Sequence, residues 1–375
     1  MRIVIVKLSA IGDVVHALPA VAALRRALPA ARLAWVVEKR AAAILKDSPI
    51  IDELIELDTR AWRKQRFSGA TLADIRRRMA GLRSGDPIEV AIDFQGLLKS
   101  GAVMRATRAQ RRVGFATAEL REPLSRLFLT EQVDTSPYRH VIEKNLALAR
   151  AAAAPLADIE ASALEPTAYQ FPIALSADDE RHVETATSGH AGRFAILNPG
   201  GGWPTKLWPA AAFGALADEL YEQHGLFSYV TFGPGEEALA QAVVSQTRSG
   251  AAQVIASTLK QFVALARRAA LFVGGDTGPL HLAAAAGTPI VGIYGPTAPE
   301  RNGPFNPRDI TVGRDLWCRP SCHRRACWHW ECMEIPASAV ARAVAIRLAG
   351  ERQAEPAFVK LKTARREAIE SGQDY

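Results

Sequence analysis

The chain has 375 residues, 49% hydrophobic and 23% charged, which excludes a disordered polymer and allows two separate cores. Its formal net charge of +7 is uneven: residues 1–150 hold 26 Lys and Arg against 16 Asp and Glu, a net of +10, leaving 20 against 23, a net of −3, for the rest. A basic first half favours an anionic partner, and no apolar run approaches the ~20 residues of a membrane span, so the expected location is the cytosol.

In chain order, short apolar runs alternate with helical stretches, the pattern of an α/β protein with parallel sheets. The first strand is expected at Arg2–Lys7, followed by a helix from about Asp13 to Leu28. Strands follow at Leu33–Val37, Leu54–Leu57 and Val90–Phe94, with helices near Ala41, over Leu72–Leu82 and over Leu98–Ala106. A mixed Ala- and Pro-containing stretch, roughly Ala151 to Gly192, reads as a connection. The alternation restarts at Phe194–Asn198 and continues through strands at Phe227–Phe232, Gln253–Ile255, Leu271–Val273 and Ile290–Ile293. Intervening helices are expected at Pro209–His224, Glu236–Gln246, Leu259–Arg268 and Pro279–Ala286, and a last one at Ala337–Leu348. The charged tail from Glu351 reads as frayed chain or surface helix.

This predicts two Rossmann-like domains facing each other across a cleft. The first covers 1–165, a linker 166–192, the second 193–335, and a terminal helix and polar tail 336–375. Open parallel sheets bind ligands at the carboxyl ends of their strands, so the strand-to-helix loops are where chemistry is expected.

Four such loops stand out. Ser9-Ala10-Ile11-Gly12-Asp13 places Asp13 at or near a helix N-cap, where it either caps or serves as a general base. Gly200-Gly201-Gly202 leaves amides free to approach phosphate oxygens, with Lys206 beside them, although the Walker spacing is absent. Phe232 to Glu237 sets Glu236 and Glu237 after a strand, as caps or as ribose ligands. Gly275-Asp276-Thr277-Gly278-Pro279-Leu280-His281 runs a strand into a helix whose N-terminus suits a pyrophosphate, with His281 in its first turn. Three of the four loops lie in the second domain, which implies a phosphate-bearing ligand held there and faced by Asp13.

With these loops in view, the chain resembles glycosyltransferase family 9, the ADP-heptose:lipopolysaccharide heptosyltransferases. The matching segments are Val6 to Asp13 with His16-Ala17-Leu18-Pro19, Asp93-Phe94-Gln95-Gly96-Leu97-Leu98-Lys99-Ser100, and Arg121-Glu122-Pro123. Further on they are Lys206-Leu207-Trp208-Pro209, Gly275 to His281, and Tyr294-Gly295-Pro296-Thr297. Trp62-Arg63-Lys64 is similar to the branch that adds the first heptose to Kdo. The likeness spans about residues 1–345.

The resemblance implies a GT-B fold and an inverting transfer that requires no metal. Asp13 would deprotonate the acceptor hydroxyl. Lys206, Asp276, Thr277, Gly278 and His281 would hold the ADP pyrophosphate, and Glu236 or Glu237 the ribose. Arg60, Arg63, Lys64, Lys99, Arg121 and His140 would meet an acidic acceptor, a Kdo-bearing lipid A, at the anionic inner membrane surface. Transfer of the second heptose, or use of another nucleotide sugar, is the alternative within the family.

Cys318, Cys322, Cys327 and Cys332 fall in one window with His323 and His329 nearby. Such a cluster is similar to the branch that adds the second heptose. It could hold structural zinc or an iron–sulfur cluster, or stand as reduced thiols or a reversible disulfide. A nicotinamide oxidoreductase would need a G-x-G-x-x-G turn after the first strand, which is missing. Nucleic acid is not an expected partner, because neither a basic helix nor an aromatic stacking platform is evident.

Overall fold

The computed structural model describes residues 1–65, 68–156, 168–190, 192–316, 318, 322, 324–327, 330–350 and 357–361; of Arg63 it describes the backbone only. The chain divides into two compact units, Met1–Ala174 and Leu175–Tyr375. The expected boundary at 165/166 lies outside the described residues.

Unit 1 runs β1 (Arg2–Val6), α1 (Ile11–Ala27), β2 (Arg32–Glu38), α2 (Lys39–Leu45), β3 (Glu53–Leu57), α3 (Thr59–Lys64) and α4 (Gly69–Arg83). It continues with β4 (Ile88–Asp93), α5 (Leu98–Thr107), β5 (Arg111–Phe115), β6 (Glu131–Val133) and α6 (Val141–Ala153). The strand order is β3-β2-β1-β4-β5-β6, with every pairing parallel. β1 is buried along its whole length, as a central strand covered on both faces must be. One side of the sheet packs Val4, Val6, Ala34, Val36 and Ala91 against Leu82 and Met104. α1 and α6 lie against each other, and Asn145 of α6 donates to the backbone carbonyl of His16 at 3.0 Å.

Unit 2 begins with α7 (Ala177–Thr187), which lies inside the expected linker stretch. Then come β7 (Phe194–Asn198), α8 (Ala210–His224), β8 (Phe227–Thr231), α9 (Glu237–Ser245), β9 (Ala252–Ile255), α10 (Leu259–Arg268) and β10 (Leu271–Gly275). The rest is α11 (Gly278–Ala285), β11 (Ile290–Ile293), α12 (Pro299–Asn302), β12 (Ile310–Arg314), α13 (Ala337–Ala349) and β13 (Ala357–Leu361). Its sheet, again all parallel, has the order β13-β12-β11-β10-β7-β8-β9. α8 stops at Gly225, whose φ of +62° is the left-handed turn that glycine adopts without strain. Trp208 and Phe213 meet edge to face at 4.7 Å, and the Trp208 indole donates to the Ile335 carbonyl at 2.8 Å.

The tail departs from expectation. Ala357–Leu361 is neither frayed nor helical but pairs as a strand with β12, from Ile310↔Ala357 to Arg314↔Leu361. Phe358, Val359 and Leu361 supply strand-forming side chains that the surrounding charge conceals. Among the described residues, no helix is long and apolar enough to cross a membrane.

Candidate functional site

In unit 2 the candidate side chains gather where β7, β8 and β10 end. The Asp276 carboxylate, at the close of β10, is the hub. Lys206 Nζ approaches its Oδ2 to 2.7 Å and its backbone carbonyl to 2.9 Å. His281 Nε2 stands 3.2 Å from Oδ1, and Asn302 Nδ2 donates to the same oxygen at 2.8 Å. Burial opposes the charge on Asp276, but the His281 hydrogen bond and the Lys206 ammonium outweigh it and hold the carboxyl well below the usual range. Lys206 also lies 4.7 Å above the Trp203 ring.

α11 starts at Gly278 with Thr277 as its N-cap and Pro279 in its first turn, so the positive end of the helix opens beside a fixed lysine. α8 begins one residue after Pro209, which caps it.

Glu236 is committed locally. Its carboxylate accepts from Gly201 N at 3.2 Å and Gly233 N at 3.0 Å, tying the loops after β7 and β8 together. A Cβ on Gly200 would overlap that carboxylate, so glycine is the residue that lets the two loops close. Glu237 is exposed in the first turn of α9. Both glutamates thus stand at the β8 strand end, and only Glu236 is engaged with the glycine loop.

In unit 1 the strand ends of β1, β2 and β4 make a second cluster. Asp13 lies three residues inside α1, not at its cap: Ala10 is the N-cap, and its amide donates to Asp13 Oδ2 at 2.8 Å. Asp13 thus stands near the N-cap as expected, at the third helical position, where its carboxylate caps the helix by accepting from the N-cap amide. The Asp13 side chain is 38% exposed, so its carboxylate can reach a ligand, and Lys7 Nζ stands 3.9 Å away.

The loop leading from β1 into α1 is fastened from β4. Gln95 Oε1 accepts from the amides of Leu8 (3.0 Å) and Ser9 (3.1 Å), and Lys7 Nζ donates to the Phe94 carbonyl at 2.6 Å. Asp93 beneath it accepts from Gln95 N, Gly96 N and Ser100 Oγ. Burial raises its carboxyl to about 6 despite those bonds.

The six residues expected to meet the acceptor distribute unevenly. Lys99 Nζ lies 3.3 Å from Glu38 Oε1 and 3.4 Å from Ser9 Oγ. Thr59 at the head of α3 bonds the same Glu38 oxygen, so Lys99 and α3 share one buried carboxylate. Arg60 and Lys64 of α3 are exposed; the Arg63 side chain lies outside the described atoms. The exposed Arg121 flanks the Gly96 turn, where Glu122 N donates to the Gly96 carbonyl. His140 caps α6, accepting from Ile142 N, and meets His16 of α1 edge-on at 5.8 Å. A cavity of about 480 Å³ beside α3 is lined by Lys39, Asp58, Trp62, Asp74 and Arg78 among others.

Glu38, Gln95 and Asn302, which the sequence does not single out, join these clusters. A charged residue ending an apolar strand was the available signal for Glu38; Asn302 had none.

Cys318, Cys322, Cys327 and Cys332 are not joined in disulfides and line one cavity of about 20 Å³ in unit 2. Burial, then the neighbouring Cys322, Cys318 and Cys327, push the Cys332 thiol up to about 11. Among the described residues, no three or more His, Cys, Asp or Glu side chains are already drawn together as a metal cage. His323 and His329 lie outside the described residues.

Comparison with known proteins points the same way. The profile of glycosyltransferase family 9 (heptosyltransferase) matches residues 79–329. Lipopolysaccharide heptosyltransferase 1 of Pseudomonas aeruginosa is 28% identical over 327 residues, 87% of each chain. The fold superposes on the structure of E. coli heptosyltransferase WaaC with ADP at a TM-score of 0.75, with 26% identity, covering 92% of this chain and all of that one. A family 9 glycosyl transferase from Veillonella parvula, 21% identical, shares the fold with a TM-score of 0.76, over 93% of this chain and 98% of that one.

Proposed function

The chain belongs to glycosyltransferase family 9, and from that premise we propose that it transfers heptose from ADP-heptose to the Kdo-containing inner core of lipopolysaccharide, with inversion at the anomeric carbon. The observation that carries the donor half is the Lys206–Asp276–His281 cluster at the head of α11. A fixed ammonium and a helix N-terminus are what a departing diphosphate needs, because negative charge grows on it as the glycosidic bond breaks. That charge stabilisation comes from the protein, so the chemical step is assigned no metal. The ADP in the similar E. coli structure supports the choice of nucleotide.

Asp13 is assigned the base. The acceptor hydroxyl is a weak nucleophile, and an accessible carboxylate in the first turn of a helix can take its proton as the new bond forms. Its bond to the Ala10 amide sets its direction and leaves further lone pairs on the carboxylate for the proton. Lys99, Arg121 and the α3 cations are assigned to the Kdo carboxylates and phosphates, with His140 at the margin and Arg63 by position. Glu236 or Glu237 is assigned to ribose. First-heptose transfer is favoured over second because the relative from Pseudomonas aeruginosa named for the first spans most of this chain. The net +10 of residues 1–150 supports action at the anionic cytoplasmic face of the inner membrane.

The test is transfer from ADP-heptose to a Kdo-terminated acceptor, with product anomer read by NMR. A retained anomeric configuration, or no transfer with this donor while another nucleotide sugar reacts, would sink the assignment.

A further inference from the structure

Glu38 is a buried charge that none of these roles uses. It ends β2 and stands at the N-cap of α2, yet its side chain makes no capping bond to that helix. An acid at a helix start is favoured by the positive end of the helix, so capping would be the ordinary use. Burying a carboxylate away from water is costly unless it is paired, and what Glu38 pairs with instead points to its purpose.

Three segments converge on it. Thr59 Oγ1 at the head of α3 donates to Oε1, and Lys99 Nζ in the first turn of α5 stands 3.3 Å from the same oxygen. The Glu38 amide donates to the Leu8 carbonyl at 2.9 Å, in the loop that leads into α1. A cation in the first turn of a helix is disfavoured, so Lys99 needs a counter-charge to stay there. Its ammonium also reaches Ser9 Oγ at 3.4 Å. Both contacts are longer than the roughly 2.7–2.9 Å of a tight charge-assisted bond. They engage two of the three ammonium hydrogens, and the Lys99 side chain is 32% exposed. Lys99 is thus held in place without being used up.

We propose that Glu38 is a positioning residue that aims Lys99 at a carboxylate of the acceptor. It keeps the ammonium beside Ser9, on the loop that continues into the helix of Asp13, so an acid group docked on Lys99 enters the same strand-end cluster as the base. The Thr59 bond ties the head of α3, and with it Arg60, to the same carboxylate. What this arrangement recognises is charge: an acceptor bearing a carboxylate gains from a lysine fixed in advance, and a neutral one does not. The aiming rests on the acceptor reading above; the Glu38–Lys99 pair does not.

The test compares the full-length wild type with Glu38→Gln, which keeps an oxygen for Thr59 and removes the charge. With a Kdo-terminated acceptor, the acceptor KM should rise about 10-fold, while kcat and ADP affinity stay within about 2-fold. Esterifying the Kdo carboxylate should erase the difference between the two proteins. In a Lys99→Met background, Glu38→Gln should raise the acceptor KM no further, because its effect passes through the lysine. A merely structural carboxylate would instead lower kcat and stability in either background, with ester and free acid alike. Unchanged acceptor KM in Glu38→Gln, or a full additional rise in the double variant, overturns the proposal. If Glu38→Gln does not fold, Glu38→Asp decides: withdrawing the charge by one methylene should raise KM for the free acid alone, and an equal rise for the ester overturns the aim. Acylation of Lys99, followed by mass spectrometry, should be about 3-fold faster in the variant, the weight of a partly exposed pair. Unchanged acylation overturns the pair whether or not transfer is seen. Faster acylation, with no transfer by the wild type, counts against the acceptor reading alone.

Discussion

Lys206 reaches across from the loop after β7 to place its ammonium 2.7 Å from the Asp276 carboxylate at the end of β10, so two neighbouring strand ends are joined by one ion pair. Both side chains are largely shielded from water, and the pair holds the lysine still before any ligand arrives. A preset cation loses no conformational freedom on meeting a diphosphate.

Lys206→Ala should therefore act twice. Removing one partner of a buried pair strands the other, costing about 3 kcal/mol of folding stability. Donor affinity should fall in parallel, which calorimetry with ADP at a temperature where the variant remains folded will read. A variant with unchanged ADP affinity would remove the lysine from the diphosphate site. Acid should mimic part of this loss: the Asp276 carboxyl is depressed, so its stabilisation is full above its ordinary pKa and fades as pH falls below it.

Asp13→Ala should separate chemistry from binding. The side chain is partly exposed, and it accepts a backbone hydrogen bond from Ala10. The turnover rate should drop about 100- to 10,000-fold, as loss of a general base does, while ADP affinity stays near wild type. Single-turnover transfer beside calorimetry tests this; near-normal turnover would remove the base assignment.

Asp93→Asn addresses the buried support of that loop. An acid raised from 3.8 to about 6 keeps its proton in the folded state after the unfolded chain has lost it. The folded protein then binds more protons between those values, and stability falls as pH rises through the window, by about 3 kcal/mol from this group. Asparagine keeps the acceptor for Gln95 N and Gly96 N but cannot ionise. Denaturant melts at pH 4 and pH 6.5 should show a smaller pH dependence in the variant; an identical dependence would contradict the raised carboxyl.

Gly200→Ala tests the joint between the glycine loop and Glu236. The added methyl overlaps the carboxylate, so Glu236 must leave the amides of Gly201 and Gly233. Expected are a loss of about 1–3 kcal/mol in stability and weaker ADP binding. Glu236→Ala combined with Gly200→Ala should recover part of the stability, because the clash then has no partner.

The alternation of apolar strands and helices was legible because parallel strands buried on both faces leave continuous runs such as Ile3–Val6 and Leu271–Val273. Strands β5, β6 and β12 did not announce themselves: Arg111-Arg112 and Glu131 put charge at strand positions whose neighbours are distant in sequence. Loop residues stood out where glycine and acid adjoin, as at Asp276. Partners set by tertiary approach, such as Glu38 for Lys99 and Asn302 for Asp276, could not be read, since 61 and 26 residues separate them.

The outermost strand of the second sheet is built from Ala357–Leu361, which pairs along the whole of β12. A shortened version ending just beyond α13 would bare those backbone groups of Ile310–Arg314 that face β13, while those facing β11 stay paired. Such rims recruit other chains, so trimming the tail should increase self-association on concentration relative to the intact chain.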